Sequence, residues 1–256
     1  MDPRRSATFH DHIAPDYDRR MSSSDDAAVR RAFHAFVSGG LAAGTRILDF
    51  GCGTGTDASW YADQGFRVLA FDNSPGMIGE LRRGCAGAIA RGQVEPWNDS
   101  YDAFLAQPAL RGEVDVVTAN FAVVNLLPDL EAWFSVVGRA LSPKGAVFLS
   151  ALNPISLRDL RAPRTLLRSL RCLFAEGVPY PETLNPHVKY WPWVVARAAR
   201  GFRLRRIAGA ATFRGEGRFF GVGREHAFPE RLGRVLGARR PWSYLGRFIF
   251  LELRRC

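Results

Sequence analysis

The sequence has little cysteine and no long apolar segment. Four cysteines scattered over 256 residues exclude the dense spacing of a disulfide scaffold and the paired spacing of a zinc site. No apolar run reaches the ~20 residues of a membrane-spanning helix, and the first five residues lack the apolar centre of a secretory signal. We therefore expect free thiols, no metal site and a cytoplasmic protein without a transmembrane segment.

Internal repeats and low-complexity tracts are also absent, which argues against a solenoid or a disordered chain. With 47% apolar and 23% charged residues, the composition is close to that of an average globular protein. A chain of this length accommodates one large domain and a small additional cap.

Lysine is nearly missing, because 33 of the 35 basic residues are arginine. The arginines are unevenly placed: residues 1–153 carry a net charge of −4 and residues 154–256 a net charge of +14. Such asymmetry suits an anionic substrate, nucleic acid or an acidic membrane surface. It equally suits a GC-biased genome and a solvated basic face that has no partner.

One stretch organises the rest of the chain. The strand-like residues Arg46 to Asp49 lead into a turn in which Gly51, Gly53 and Gly55 alternate with larger residues. Such a turn allows a ligand to approach the backbone closely. Asp72 follows a second apolar run and should lie at the carboxyl edge of a neighbouring parallel strand, where a carboxylate accepts the hydroxyls of a ribose.

The pattern that follows predicts an α/β fold. Helical and strand-like segments alternate, Val114 to Ala119 is a β-branched run typical of a central parallel strand, and Tyr244 to Leu253 forms a late strand. We expect a doubly wound Rossmann-like sheet that is mostly parallel, with an antiparallel last strand and a small cap.

Four regions are predicted along the chain. Residues 1–40 form an N-terminal arm and helix over the site, residues 41–153 the ligand-binding core, residues 154–190 a cap or insertion, and residues 191–256 the last helix and strands of the core. Because Pro15 interrupts it, we expect the segment from Phe9 to Asp18 to be a short ordered arm rather than a full helix.

The cap contains an amphipathic stripe. Arg164, Arg168 and Arg171 fall on one face of a predicted helix whose other face is rich in leucine. This stripe can cover a substrate pocket, lie on an anionic membrane surface or pack on the core with its charges in water.

Asp49 narrows the choice of ligand. A carboxylate two residues before Gly51 repels the pyrophosphate of a dinucleotide, which binds at the start of the following helix. It suits instead a ligand that carries a positive charge, such as an ammonium or a sulfonium group.

The segments from Ile47 to Gly55 and from Phe71 to Met77 resemble the first two motifs of class I S-adenosylmethionine-dependent methyltransferases. The resemblance extends through the fourth strand, through Leu141 to Ala146 before the fifth, and to the final strand. The segment from Ile13 to Asp18 is similar to the arm of many small-molecule and quinone-type members.

The resemblance implies a role for each matching residue. Asp49 and the backbone of Phe50, Gly51, Cys52 and Gly53 would face the methionyl end of S-adenosylmethionine. Asp72 would bind the ribose hydroxyls, and the residues matched to the adenine are Asn73, Met77, Asn98 and Asp99. Asn120 and Phe121 would lie near the methyl group, and Tyr17 would lie at the carboxylate end.

The catalytic residues are less well defined. Methyl transfer requires mainly alignment and exclusion of water, so a dedicated base is optional. If the acceptor is a hydroxyl, the histidines and tyrosine of the arm and cap are candidate bases, and Asn125 is a candidate for orienting the acceptor. These candidate bases are His10, His12, His187 and Tyr190.

The acceptor predicted is a small molecule, for O- or N-methylation, and a secondary or quinone-type metabolite fits. The Asn/Asp-Pro-Pro-aromatic motif of nucleic-acid amino-methyltransferases is missing, since Asn120 to Val123 occupies its place. Methylation of RNA or an anionic lipid, and a non-catalytic regulatory or scaffold role that binds S-adenosylmethionine and its product S-adenosylhomocysteine, remain as alternatives. The oligomeric state is not indicated.

Overall fold

The computed structural model describes residues 2–107, 110, 112–156, 163–181, 183, 185–210 and 244–256. The strands within these ranges are β1 (Arg46–Phe50), β2 (Arg67–Asp72), β3 (Val94–Asn98), β4 (Val114–Ala119), β5 (Leu141–Leu152), β6 (Gly177–Tyr180), β7 (His187–Tyr190), β8 (Phe202–Ala210) and β9 (Phe248–Arg255). Seven of them form one sheet in the order β3-β2-β1-β4-β5-β9-β8, and β6 pairs with β7 in a separate hairpin.

Helices connect the strands and cover the sheet. They are α1 (Pro3–Ile13), α2 (Tyr17–Arg20), α3 (Ser24–Ser38), α4 (Thr56–Asp63), α5 (Pro75–Gly84), α6 (Ala86–Ala90), α7 (Tyr101–Ala106), α8 (Leu130–Ala140), α9 (Pro163–Arg171) and α10 (Pro192–Ala198).

Side chains along each strand alternate between the two faces of the sheet, and helices cover both faces, so the structure has three layers. Ile47 of β1 packs into a cluster that includes apolar residues of α3, α4 and α5, while the next residue, Leu48, packs into a second cluster with α7, α8 and α10. Because successive strand side chains point to opposite faces, both faces of the sheet are buried.

The predicted fold class is confirmed. Strands β1 to β5 pair in parallel, and β9 is antiparallel to both β5 and β8. The chain proceeds from β1 outwards to β3 and then crosses to β4 on the other side of β1. This reversal opens a crevice at the carboxyl ends of β1 and β4, which is where open α/β sheets bind ligands.

The arm is more helical than predicted, but it is interrupted around Pro15 as expected, since α1 ends at Ile13 and α2 begins at Tyr17. The arm begins with the eleven-residue helix α1, which Asp2 caps through a 2.9 Å hydrogen bond from the Arg4 amide. Pro15 lies beyond the end of this helix, in the short 3₁₀ turn from Ala14 to Asp16, where proline is tolerated because no helical hydrogen bond is lost.

The range predicted as a cap contains α9 and the β6–β7 hairpin, while residues 157–162 of it lie outside the described residues. Asn125 joins this hairpin to the sheet: its side-chain amide donates to the Val188 carbonyl at 2.7 Å and its oxygen accepts from the Leu152 amide at 2.9 Å. Residues 215–240, for which the sequence pattern predicts no helix or strand, also lie outside the described residues. Within the described ranges, no helix combines the length and apolarity needed to cross a membrane.

Replacing Trp133 by alanine should destabilise the fold strongly. Trp133 is fully buried and contacts Phe50 and Phe134, so its truncation removes a large apolar contact area and leaves a cavity worth about 3–5 kcal/mol. Urea denaturation measures the loss. The matched variant Trp193→Ala, at a tryptophan that is 52% exposed, should cost much less, and equal losses would contradict this assignment of the core.

Candidate active site

The glycine turn after β1 forms the floor of a cleft. The amides of Gly51 and Cys52 donate to the Phe71 carbonyl at 2.8 and 3.0 Å, which ties the turn to the end of β2. A Cβ on Gly51 would lie 2.6 Å from Val123, so a side chain does not fit there. A Cβ on Gly53, by contrast, would have the Tyr17 ring at 3.9 Å as its nearest contact, and Gly53 lines the cleft.

Asp72 lies at the end of β2, where the sequence placed it. Its two oxygens accept hydrogen bonds of 2.9 Å from the amides of Gly53 and Ser74, and its backbone carbonyl accepts from Asn98 at 2.9 Å. Burial raises the pKa of the Asp72 carboxyl, although the two amides favour its charged form. Each oxygen retains lone-pair capacity for a hydroxyl group.

Asp49 lies directly beneath the turn and is 2% exposed. Thr118 of β4 donates to one carboxyl oxygen at 2.8 Å, but the other oxygen has no hydrogen-bond partner among the described residues. Burial, followed by the charge of Asp57, raises the pKa of Asp49 to about 8. An unpaired buried oxygen is costly, which makes this atom a candidate for contact with a ligand.

A third carboxylate, Asp57, was not singled out in the sequence. It accepts from Arg30 and His34 of α3 at 2.7 Å each, and from Asn120 at 3.0 Å. Burial raises the pKa of Asp57, but the hydrogen bond from His34 and the charge of Arg30 outweigh burial, so that pKa lies below its usual value.

Two sequence signals pointed towards this cluster. Arg30 and His34 are polar residues one helical turn apart among the apolar positions of α3, and Asp57 stands in the first turn of the helix that follows the glycines. Each has an ordinary explanation as a surface charge or as a helix-terminal acid. Their contact joins residues 23 or more positions apart, which no local pattern predicts.

The segment after β4 has a strained backbone. Phe121 and Ala122 have φ angles of 47° and 66°, a region that residues with a side chain rarely adopt. The Asn120 side chain accepts from the Phe121 amide at 2.8 Å, and Arg30 stacks over the Phe121 ring at 4.6 Å. Strain of this kind accumulates at functional sites, where the surrounding contacts enforce it.

The N-terminal arm closes one side of the cleft. Asp11 accepts from the Ser74 hydroxyl at 2.5 Å and from the Gly76 amide at 2.9 Å, while Asp18 accepts from the Thr54 hydroxyl at 2.6 Å. Tyr17 faces the cleft between these contacts, and burial raises its pKa to about 12, so its phenol is neutral at physiological pH.

The structure brings most of the predicted cofactor residues together. The cleft and its mouth together span about 910 Å³, open solvent included. The predicted residues that line it are Tyr17, Phe50, Gly51, Cys52, Gly53, Asp72, Asn73, Met77, Asn120 and Phe121. Asp49 is buried and is not among the lining residues that the structure describes. Lining residues that the sequence did not indicate include Arg30, Thr56, Asp57 and Tyr101.

Asn98 and Asp99 are not among the described residues that line the cleft. Asn98 bonds to the Asp72 carbonyl, and the Asp99 carboxylate accepts from the adjacent Ser100 amide at 2.8 Å. Their contact with adenine stays a prediction.

In the described part of the chain, four of the five catalytic candidates, His12, Asn125, His187 and Tyr190, are not among the residues that line the cleft. His12 is exposed on α1, the His187 ring stacks on Tyr180 with centroids 5.1 Å apart, and the buried Asn125 side chain joins the hairpin to the sheet. The Tyr190 hydroxyl donates to the Leu127 carbonyl at 2.9 Å. His10 does line the cleft, and its Nδ1 lies 2.8 Å from the Ser6 carbonyl.

The strand order, the glycine turn and the acidic cleft define a class, that of S-adenosylmethionine-dependent methyltransferases with a Rossmann-like fold. Residues 17–203 match the family model described as a methyltransferase domain. Since this match covers more than two thirds of the chain, the protein belongs to the methyltransferase family. It is an enzyme of this class, and S-adenosylmethionine is its cofactor.

Named relatives support this assignment. The chain is similar to the demethylmenaquinone methyltransferase of Beutenbergia cavernae, with 31% identity over 228 residues that cover 81% of this chain and 88% of the relative. It is also similar to the ubiquinone biosynthesis O-methyltransferase of Xanthomonas oryzae pv. oryzae, with 33% identity over 111 residues that cover 43% and 44% of the two chains.

A solved structure shares the fold. The 1,6-didemethyltoxoflavin-N1-methyltransferase of Burkholderia thailandensis, with bound 1,6-didemethyltoxoflavin and S-adenosylhomocysteine, has a TM-score of 0.62 and 16% identity. The superposition covers 100% of this chain and 91% of that one.

Replacing Asn125 by alanine distinguishes a structural role from the predicted orienting role. The change leaves two buried backbone groups without partners, so the free energy of unfolding should fall by about 2 kcal/mol while the Kd for S-adenosylmethionine stays unchanged. Urea denaturation measures the free energy of unfolding, and calorimetry measures the Kd.

The matched control is Asn185→Ala, on the loop between β6 and β7, which should leave both quantities nearly unchanged. A variant of full stability that loses methyl transfer would instead assign Asn125 to the acceptor.

Proposed function

We propose that this enzyme transfers the methyl group of S-adenosylmethionine to a small aromatic acceptor of the quinone type. The observation that carries the proposal is the set of acidic side chains around the glycine turn: Asp57 and Asp72 line the cleft, and Asp49 is buried two residues before the turn. When bound, S-adenosylmethionine supplies a methyl group activated by a positively charged sulfur.

The ribose end of the donor fits Asp72. Two amides hold the Asp72 side chain in place, and its remaining lone pairs can accept a pair of neighbouring hydroxyls. Asn73 and Met77 lie next to Asp72 in the cleft wall and are suited to flank the adenine ring.

The methionyl end fits the residues around the glycine turn. The unpaired oxygen of Asp49 and the backbone at Gly53 suit an ammonium group, and Arg30, the guanidinium that lines the cleft, suits a carboxylate. Asp57 holds Arg30 at 2.7 Å, which fixes the position of the guanidinium before a ligand arrives. Such preorganisation lowers the cost of binding.

The acceptor side of the cleft is apolar. Phe121, Val123, Leu126 and Leu127 line it beyond the glycine turn, and such a wall excludes water from the reacting atoms. An aromatic ring matches this surface, and two of the relatives are named for quinone biosynthesis. The chain's own contribution to the reaction is therefore alignment of the acceptor and exclusion of water.

Asp72→Ala tests the donor site. The change removes the acceptor for the ribose hydroxyls and should weaken S-adenosylmethionine binding about 100-fold, in line with the loss of two hydrogen bonds to a charged group. Calorimetry with S-adenosylmethionine and with S-adenosylhomocysteine measures the effect.

The matched control is Asp63→Ala, an exposed carboxylate at the end of α4, which should bind both ligands as the parent does. If neither ligand binds the parent protein, or if Asp72→Ala binds as tightly, the proposed donor site is wrong.

Donor binding should also depend on pH through Asp49. Because the pKa of Asp49 is raised to about 8, its carboxyl is neutral below that pH and cannot pair with an ammonium group. Affinity for S-adenosylmethionine should therefore rise by about tenfold per pH unit below pH 8 and level off above it.

Calorimetry in two buffers of different ionisation enthalpy should detect the release of one proton on binding. The variant Asp49→Asn should abolish that release. A parent affinity that is independent of pH would contradict this role of Asp49.

A further inference from the structure

An apolar and basic surface surrounds α9. We define the α9 patch by its exposed residues, which are Arg164, Leu167, Leu170, Arg171, Leu173 and Phe174. Leu167 and Leu170 are 47% and 50% exposed, Leu173 is 37% exposed, and Phe174 is 99% exposed. Four of the six large hydrophobic residues that are exposed in the described chain thus lie within eight positions, and such clustering indicates an interaction surface.

The opposite side of α9 fixes the direction in which the patch points. Ser169 is fully buried and its hydroxyl donates to the Pro154 carbonyl at 2.5 Å. In the turn after the helix, the indole of Trp191 donates to the Cys172 carbonyl at 3.0 Å. The helix is therefore attached to the fold through this side, and its leucines point outwards because the buried side is already occupied.

The charge around these leucines has one sign. Residues 163–175 contain three arginines, Arg164, Arg168 and Arg171, and neither an acidic residue nor a histidine. Arg168 packs over the Tyr180 ring at 5.1 Å, and Arg164 and Arg171 are exposed. The next acid, Glu176, lies 3.8 Å from Arg197 in an exposed ion pair.

The patch lies on the same edge of the sheet as the cleft. Pro154, which holds α9, follows the carboxyl end of β5, and the cleft opens at the carboxyl ends of β1 and β4. The β6–β7 hairpin connects the two regions, because Tyr190 bonds to Leu127 of the cleft wall. A surface that rests on the patch would therefore face the acceptor side of the enzyme.

We propose that the α9 patch docks on an anionic phospholipid bilayer, from which the enzyme takes an apolar acceptor. A short helix with exposed leucines, a neighbouring phenylalanine and flanking arginines lies in the plane of a bilayer interface, with its apolar side chains among the acyl chains and its cations at anionic headgroups. Nucleic acid offers no apolar phase for four such side chains.

This inference rests on the proposed function for its choice of acceptor, but the docking itself is measured separately. Vesicle binding does not require S-adenosylmethionine, and donor binding does not require vesicles. If vesicle binding fails, donor binding can therefore still be measured, and the reverse also holds.

Co-sedimentation of the full chain with vesicles tests the proposal. The protein should bind vesicles that contain phosphatidylglycerol, bind weakly to vesicles of phosphatidylcholine alone, and dissociate as salt is raised. Leu170→Ser combined with Phe174→Ser, and separately Arg164→Gln combined with Arg171→Gln, should each weaken binding by about tenfold or more. All four residues are exposed, and unchanged S-adenosylmethionine binding verifies that each variant is folded.

The matched control for charge is Arg203→Gln combined with Arg205→Gln on the edge strand β8, where both arginines are exposed. This variant loses the same charge and should bind vesicles as the parent does. The proposal is overturned if the parent ignores anionic vesicles, if the control loses as much binding as the patch variants, or if only the arginine pair matters and single-stranded RNA competes with the vesicles.

Discussion

The buried carboxylate of Asp57 is the constraint on which the site depends. A charge that is removed from water requires compensation, and here three donors supply it from different parts of the chain: Arg30 and His34 from α3, and Asn120 from the end of β4. Because all three converge on one side chain, α3, the helix after the glycine turn (α4) and the segment after β4 are held in a fixed relation. The cleft is the space between them.

The features that the sequence predicted well are those set by neighbours in the chain. The strand before the glycines, the β-branched β4 and the placement of Asp72 follow from local patterns, because apolar runs and glycine positions determine where a buried parallel strand ends. The antiparallel β9 was also predicted, since its length and late position suit an addition to a nearly complete sheet.

The features that the sequence could not provide depend on distant pairs. The contact between His34 and Asp57 spans 23 residues and that between Asn120 and Asp57 spans 63, so neither leaves a periodic signal. The same holds for the candidate bases: histidine in the arm or cap is compatible with many orientations, and only the packing of α1 separates the exposed His12 from His10, which faces the cleft. The helix α1 itself was underestimated because Pro15 was weighed more heavily than the capping residue Asp2.

The negative charge of the cleft has a consequence for turnover. In the donor site that we propose, the carboxylates of Asp57 and Asp72 attract a sulfonium more strongly than a neutral thioether, because the Coulomb attraction disappears when the sulfur loses its charge. Transfer of the methyl group removes that charge at the moment when the spent donor has to leave. Under the proposed function, the acidic cleft therefore favours a donor that still carries its positive charge over the neutral product that remains after transfer.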